Sequence, residues 1–347
     1  GDAGSLLFQL NQRAQRPDLP FRLAVQREPD DHPSRPLERP GLLHDNGYGG
    51  FDPETGDYVV VVEGDTVPPA PWINVMSNEH EFGTMVSESG GACTWSVNSH
   101  ENRLTTWNND PVSDGTGEFV YVRDEETGEF WSPTPLPMKT EVPFVVRHGR
   151  GHTSFLSEQR GLTHDLEVFV PPERPVRVAR LELENNGERR RTLTVTQFVE
   201  WSLGSSRSRA QQQVVTWYDA EDDMLTAHNH YNMDFPGRTT FLASDRSIDS
   251  YTADRSEFLG RNGEPARPAA LRRAGLGART GRFHDACGAI SVKVLLGPGE
   301  RVSVSFFLGQ TRDVEEARSL VDDLRRRGAV EEELAQTRSA WEDLLGS

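Results

Sequence analysis

The most unusual stretch of the sequence is residues 87–114, which is too polar and aperiodic for a buried strand. Recognition of a sugar needs such a mixture, because a pyranose face stacks on an aromatic ring while planar polar groups bind its hydroxyls. Trp95 and Trp107 supply the rings. The polar groups come from Asn98, Asn102, Arg103, Asn108, Asn109 and Asp110. The alternative is a loop whose Asn and Asp side chains bind its own backbone while the tryptophans fix it in place. The composition leaves both interpretations open.

A second candidate is the turn at residues 147–152, with the sequence RHGRGH, at the end of a predicted strand. A basic turn that contains glycine can bring backbone amides and guanidinium groups close to a sugar or an anion. Arg147 and His148 are therefore candidate sugar contacts. The alternative is that these histidines are structural residues with satisfied hydrogen bonds.

A third candidate is the segment DRSEFLGRNG at residues 254–263, together with the arginine-rich loop that continues to Arg282. The arginines between Arg261 and Arg282 make this the only locally basic region of the chain. Such a region could bind a phosphate group or a partner domain. The alternative is a solvated surface loop.

Other catalytic patterns are missing from the sequence. Carboxylates are abundant, but nothing marks two of them as the acid and base of a glycosidase, and no nucleophile elbow occurs. The glycine-rich run at residues 46–51 has neither the spacing nor the following helix of a phosphate loop. Cys93 and Cys287 could pair, but they form no zinc-like cluster with histidines. We therefore predict no catalytic residue, no cofactor and no metal site in this chain.

The charge and hydropathy patterns exclude further classes. A formal net charge of -17 repels phosphate backbones and disfavours nucleic-acid binding. This charge indicates a strongly hydrated surface. No acidic run is concentrated enough to indicate a binding site for a cation. There is no apolar run of membrane-spanning length and no leader with a basic start and an apolar centre. We predict a cytoplasmic chain that does not insert into a membrane.

The elements that must position these residues are mostly short strands. From residue 41 to residue 312, glycine, proline, asparagine and aspartate punctuate runs rich in β-branched and aromatic residues. Two hairpins are predicted, one around residues 185–188 with the sequence NNGE and one around residues 297–299 with the sequence GPG. Strands joined by turns without intervening helices predict an all-β fold, a large antiparallel β-sandwich.

The two ends of the chain differ from this pattern. Residues 1–40 are rich in Arg, Pro, Asp and Gln, and we predict an extension or linker. At residues 313–347 the apolar residues acquire helical spacing, with Asp313 and Glu316 as a capping box and Gly328 between two helices. Trp341 lies near the end of the second helix with little to pack on. We therefore predict a C-terminal helical connector to a domain absent from this sequence.

Several long strings resemble glycoside hydrolase family 94, most closely the branch with cyclic β-1,2-glucan synthase carboxyl-terminal regions and β-1,2-oligoglucan phosphorylases. The strings are NGYGGFD at 46–52, PAPWINV at 69–75, VSESGG at 86–91, NSHENRLTTWNNDPVSD at 98–114, RDEETGEFWSPTPLP at 123–137, RHGRGHT at 147–153, FVEWSLG at 198–204 and DRSEFLGRNG at 254–263. The resemblance runs from about residue 43 to the final helix.

The resemblance implies a galactose-mutarotase-like supersandwich, then a helical connector, then an (α/α)₆ barrel that carries the acid aspartate and most phosphate ligands. Family members cleave β-glucosidic bonds by inverting phosphorolysis, and they often form dimers in which sandwich loops approach the partner's active site. By this resemblance the loops 98–114 and 147–153 are the best candidates for sugar contact. His152 stands where many relatives have Tyr, which departs from the family pattern.

We therefore expect a non-catalytic sandwich domain of a β-1,2-glucan phosphorylase or synthase, inactive without its barrel. Its partners would be a β-glucan oligosaccharide, the barrel of the same polypeptide and, in a homodimer, a second copy. The parent could be soluble or anchored to the inner membrane. One alternative is a self-sufficient carbohydrate-binding module that uses Trp95 and Trp107. Another is a mutarotase-type epimerase with His148 or His164 as its acid–base residue.

Overall fold

The computed structural model describes residues 19–29, 37–107, 117–282 and 285–346. In these ranges the chain forms three antiparallel sheets. The strands are β1 (Gly49–Phe51), β2 (Tyr58–Val62), β3 (Ile73–Ser77), β4 (Phe82–Ser87), β5 (Ala92–Ser96), β6 (Arg103–Thr105), β7 (Glu118–Asp124), β8 (Phe130–Trp131), β9 (Phe144–His148), β10 (His152–Gln159), β11 (Leu162–Phe169), β12 (Val176–Asn185), β13 (Arg191–Val199), β14 (Trp201–Gly204), β15 (Val214–Asp219), β16 (Met224–Asn229), β17 (Thr239–Ser244), β18 (Ser250–Asp254), β19 (Ala286–Leu296) and β20 (Arg301–Thr311). The helices are α1 (Arg207–Ala210), α2 (Arg255–Phe258), α3 (Val314–Arg325) and α4 (Ala329–Leu345), with a 3₁₀ turn at Ala270–Arg272.

One sheet has ten strands in the order β1-β2-β9-β10-β11-β12-β20-β17-β16-β15. Two five-stranded sheets, β18-β19-β13-β7-β8 and β14-β6-β5-β4-β3, supply the facing layer. Residues from all three sheets share one apolar core. The predicted all-β class and sandwich architecture are confirmed.

The alternation that predicted β12 matches its burial. Ala179, Leu181 and Leu183 are buried, whereas Arg180 and Glu182 are half-buried on the opposite face. Alternation of this kind places every second side chain in the core of a sandwich.

Both predicted hairpins are wrong. Strand β12 pairs with β11 and β20, whereas β13, which follows the first turn, pairs with β7 and β19 in the facing layer. The second turn likewise joins β19 in one layer to β20 in the other. Each turn is therefore a corner between layers, and a sequence of this type does not distinguish a corner from a hairpin.

The physical reason is that the two corners bind each other. The buried Asn185 side chain donates to the carbonyls of Leu296 and Gly297 at 3.2 and 3.1 Å, and Gly299 N donates back to Asn185 O at 2.8 Å. These hydrogen bonds satisfy polar backbone groups at both corners. For this reason β12 does not have to pair with β13, and β19 does not have to pair with β20.

The C-terminal helices pack on the outer face of the ten-stranded sheet. Leu320 and Leu324 of α3 and Leu334 of α4 are buried in a cluster with Phe241 and Phe307. The predicted cap is present, because Asp313 accepts a hydrogen bond from Glu316 N at 2.9 Å. The sandwich itself buries the apolar face of both helices, and a connection to a further domain stays a prediction.

Part of the predicted 1–40 extension lies along the sandwich. Leu23 N donates to Arg272 O at 2.9 Å and Gln26 N donates to Glu126 O at 2.8 Å. Residues 19–29 thus follow the edge formed by the 3₁₀ turn and the β7–β8 connection. The boundary at residue 40 stays a prediction.

Candidate sugar-contact surfaces

The turn between β5 and β6 is held by its own side chains. The Asn98 carboxamide oxygen accepts hydrogen bonds from the backbone N–H groups of His100 and Glu101, both at 2.9 Å. Val97 before it has φ 66°, a conformation that a β-branched residue rarely adopts. Strain of this kind persists only where the surroundings hold it, and it is concentrated at functional sites.

Trp95 and Arg103 lie directly opposite each other on β5 and β6. The Trp95 side chain is only 8% exposed, and its ring lies over Gly83, where an added Cβ would be 2.4 Å from the ring. In this position one face of the ring supports the sheet, and little of its surface is exposed to a pyranose. Arg103 is half-buried and donates through Nε to Ser99 O at 3.0 Å, which places its guanidinium over the turn.

Three of the family strings meet just beyond this turn. Thr106 N donates to Glu200 O at 3.2 Å, so the residues next to the half-buried Trp107 lie against β14. The Glu200 carboxylate forms an ion pair with Arg255, and Arg255 also contacts Asp285 at 3.4 Å. Segments 98–107, 198–204 and 254–263, which are remote in sequence, therefore form one rigid polar region.

An amide network extends this region to the β16–β17 loop. Asn102 donates to Gln310 Oε1 at 2.7 Å, and Asn232 donates to Asn102 Oδ1 at 3.4 Å. Asn229 donates to the carbonyl of Leu203 at 2.9 Å. Between these anchored asparagines, Tyr231 is 71% exposed. We call the surface formed by residues 97–107, 200–207 and 229–232 the loop cluster.

Tyr231 and Glu200 belong to the loop cluster and Arg255 pairs with Glu200, but no sequence pattern marked these three residues as contacts. The sequence HNHYNM at residues 228–233, with an aromatic residue between polar ones, was the available signal for Tyr231. Asn108, Asn109 and Asp110, which were predicted sugar contacts, lie outside the described residues.

The second predicted contact loop belongs to a separate surface. Arg147 forms an ion pair with Asp52 at 2.6 Å. The His148 ring bonds at Nε2 to the Trp72 carbonyl and at Nδ1 to the Thr153 hydroxyl, both at 3.1 Å. A carbonyl only accepts, so Nε2 carries the proton and Nδ1 accepts. Burial lowers the pKa of His148 to about 4, so the ring is neutral near pH 7.

This surface also gathers several family strings. Asn74 donates to the carbonyls of Gly149 and His152, both at 2.9 Å, and Trp72 N donates to Glu88 Oε2 at 2.7 Å. The ring of Trp341 on α4 lies against Gly151, where an added Cβ would be 2.2 Å from it. We call residues 52, 72–74, 147–153 and 341 the turn cluster.

The two clusters are distinct sites. Asn74 pairs with Val86 on β4, whereas Trp95 pairs with Gly83, three residues further along the same strand. Asn74 and Trp95 are therefore offset by three residues, about 10 Å, along the strand direction. They are also two strands apart, on β3 and β5, which adds about 9 Å across the sheet. The structure groups Trp95, Asn98 and Arg103 with Trp107, and groups Arg147 with His148, but it does not form one site from both sets.

His148 and His164, the candidate acid–base residues for mutarotase-type chemistry, both form hydrogen bonds within the protein. His164 is fully buried, and the Trp131 indole N–H donates to its Nε2 at 2.9 Å. Burial lowers the pKa of His164 to about 3. A neutral ring without access to solvent cannot transfer protons to a sugar, and His148 is fixed by two hydrogen bonds.

The described residues contain no group of three His, Cys, Asp or Glu side chains placed to hold a metal ion. None of the helices in these ranges has both the length and the apolar character that crossing a bilayer requires.

Comparison with known proteins gives the family. The sequence model of the glycosyl hydrolase 94 supersandwich domain matches residues 56–327. The chain belongs to the glycosyl hydrolase 94 family. The resemblance found in the sequence and the supersandwich architecture that it implied are therefore confirmed.

Two relatives illustrate the range of the family. The chain is 37% identical to the cyclic β-(1,2)-glucan synthase NdvB of Rhizobium meliloti over 93% of this chain and 11% of that protein. It is 28% identical to an N,N'-diacetylchitobiose phosphorylase of Vibrio furnissii over 85% of this chain and 37% of that protein. The chain thus spans well under half the length of these relatives.

A solved structure of a GalM/aldose epimerase homologue from C. elegans aligns with a TM-score of 0.41 and 10% identity. The alignment covers 70% of this chain and 100% of that chain.

Proposed function

We propose that this chain is the non-catalytic supersandwich domain of an enzyme that processes β-1,2-glucans by inverting phosphorolysis or during glucan synthesis. The identity of 37% over 93% of the chain to a cyclic β-(1,2)-glucan synthase supports the substrate class. The observation that carries the proposal is the state of the ionisable groups in both clusters. Glu200 and Arg147 are ion-paired and His148 is neutral and hydrogen-bonded, so these groups position and contact rather than transfer protons.

In this proposal the loop cluster contacts the glucan. Arg103 offers a guanidinium over a rigid turn, Tyr231 offers an exposed ring, and the half-buried Trp107 lies beside them. Guanidinium groups bind neighbouring hydroxyls and aromatic rings stack on the apolar sugar face. The catalytic acid would come from a barrel in the same polypeptide, to which α4 leads. A homodimer would bring the same loops to a partner's site.

The turn cluster has a supporting role in the proposal. The Trp341 ring packs on Gly151, so packing holds α4 against the turn at residues 149–151. The proposal includes a cytoplasmic location for this domain, in a parent that is either soluble or anchored to the inner membrane.

The test compares this chain with the full polypeptide of its gene. Each is incubated with β-1,2-glucooligosaccharides and inorganic phosphate, and glucose 1-phosphate is measured, with β-1,3- and β-1,4-linked oligosaccharides as substrate controls. The chain alone should release none, whereas the full polypeptide should release it from the β-1,2 series or, if it is a synthase, process that series only. Release by the chain alone would disprove the proposal.

A second candidate is a self-sufficient carbohydrate-binding module, favoured by the exposure of Tyr231 on a rigid loop. Calorimetry of this chain with β-1,2-oligosaccharides tests it. Tyr231→Ala should weaken binding about fivefold or more, if a pyranose face stacks on the ring as strongly as a nucleic-acid base does, which contributes roughly 1–3 kcal/mol. Phe21→Ala is the matched control, because Phe21 is 90% exposed and lies elsewhere. No measurable binding by the chain would leave only the first candidate.

A further inference from the structure

The arginines of the 254–282 segment fall into two groups. Arg273 forms an ion pair with the buried Glu257 at 2.8 Å, and Arg279 with the buried Asp254 at 3.1 Å. These two arginines neutralise carboxylates inside the fold. The exposed Arg267 and Arg272 are different, because they line a surface depression of about 430 Å³.

The lining of this depression carries two guanidinium groups and one carboxylate, that of Glu264. Among the described residues, neither Arg267 nor Arg272 forms a side-chain hydrogen bond or an ion pair. The rest of the lining is Asn262, Gly263, Glu264 and Ala269. In a chain with a net charge of -17, two unpaired guanidinium groups in one concavity form a local positive site.

The rim of the depression is rigid. Gly263 packs so closely that an added Cβ would lie 2.0 Å from the Leu259 carbonyl oxygen. The Tyr121 hydroxyl donates to Pro265 O at 2.9 Å, and Ala269 N donates to Leu259 O at 3.2 Å. The loop is thus fixed to the core beneath it, and its polar side chains are presented without ordering a mobile segment.

We propose that this depression binds a sugar phosphate. Arg267 and Arg272 would bind the phosphate oxygens through charge-assisted hydrogen bonds, while Glu264 and Asn262 would accept from and donate to sugar hydroxyls. Glu264 would oppose a bare phosphate, so the mixture of groups selects a ligand with both parts. The volume lies in the usual range for small-molecule sites.

The test is calorimetry of the 347-residue chain with glucose 1-phosphate, inorganic phosphate and glucose as separate probes. Glucose 1-phosphate should bind at least about tenfold more tightly than either other probe, since each charge-assisted contact is worth about one power of ten in affinity. The double variant Arg267→Ala/Arg272→Ala should weaken its binding by about tenfold or more. The control Arg312→Ala/Arg326→Ala removes the same charge from exposed sites just outside the two ends of α3 and should change nothing.

Glu264→Gln separates the two halves of the site. It should weaken glucose 1-phosphate binding while leaving or strengthening the binding of inorganic phosphate, because a repelling carboxylate is removed. Equal binding of phosphate and glucose 1-phosphate would mean an adventitious ion only. That result, or unchanged binding in the Arg267/Arg272 double variant, would overturn the inference.

Discussion

His164 makes the stability of this domain sensitive to acid in a calculable way. The ring is fully buried beside Trp131, and burial lowers its pKa from 6.5 to about 3. The folded state therefore keeps the ring neutral at pH values where the unfolded chain takes up a proton. Because the folded pKa is the lower one, the stabilisation is complete above pH 6.5 and is lost as the pH falls toward 3.

The magnitude follows from the same two values. Each pH unit below 6.5 costs about 1.4 kcal/mol of unfolding free energy until the folded pKa is reached. The loss is about 2 kcal/mol at pH 5 and about 4 kcal/mol at pH 3. His164→Gln removes the ionisable group and keeps an oxygen that can accept from the Trp131 indole N–H.

The assay is urea unfolding at pH 7 and pH 5, followed by tryptophan fluorescence and circular dichroism. The fall in unfolding free energy between the two pH values should be about 2 kcal/mol smaller in His164→Gln than in the wild type. The control His80→Gln alters an exposed histidine and should reproduce the wild-type fall. Equal falls in the wild type and His164→Gln would refute the reasoning.

Two other perturbations test the packing of the domain. Gly151→Ala and Trp341→Ala should each lower the unfolding free energy by about 1–2 kcal/mol, measured by urea unfolding. Their double variant should show a coupling above about 0.5 kcal/mol, because the new Cβ of Gly151→Ala meets the Trp341 ring only when that ring is present. Simple additivity of the two effects would contradict the contact. Arg177→Met should cost about 3–5 kcal/mol, because it leaves the Glu118 carboxylate buried without the partner now at 3.0 Å. The double variant Arg177→Met/Glu118→Gln removes the buried charge and should recover part of the lost unfolding free energy. A double variant as unstable as Arg177→Met would contradict this explanation.

Local patterns predicted the strands well because burial repeats with the period of the backbone. The alternation of Ala179, Leu181 and Leu183 gave β12, and the helical spacing after Asp313 gave α3 with its cap. Each of these signals lies within a few residues of the element it predicts. The strands and turns also predicted the sandwich, and the family strings added that it is a supersandwich, since they carry information beyond periodicity.

Pairing between strands was not predictable from the same signals. The turn after Asn185 has hairpin chemistry, yet β12 and β13 belong to different layers. What decides between a hairpin and a corner is the bond of Asn185 to residues 296 and 297, more than a hundred positions away. No local window contains both partners.

The candidate site shows the same division. Composition marked residues 87–114 as a sugar-contact loop, and Arg103 does lie over a rigid turn there. The same composition treated Trp95 like Trp107, although packing over Gly83 buries Trp95. Sugar contact by any of these residues stays a prediction, and Tyr231 joins them only because the fold places it nearby.

The sequence by itself determined the fold class, the position of the two C-terminal helices and the family, because periodicity and long strings are properties of consecutive residues. Only the tertiary structure decided that the loop cluster and the turn cluster are separate, that α3 and α4 cover the sheet, and that Arg267 and Arg272 remain unpaired among the described residues. Burial and charge pairing depend on which distant segments meet in space, and that is settled by packing the whole chain at once.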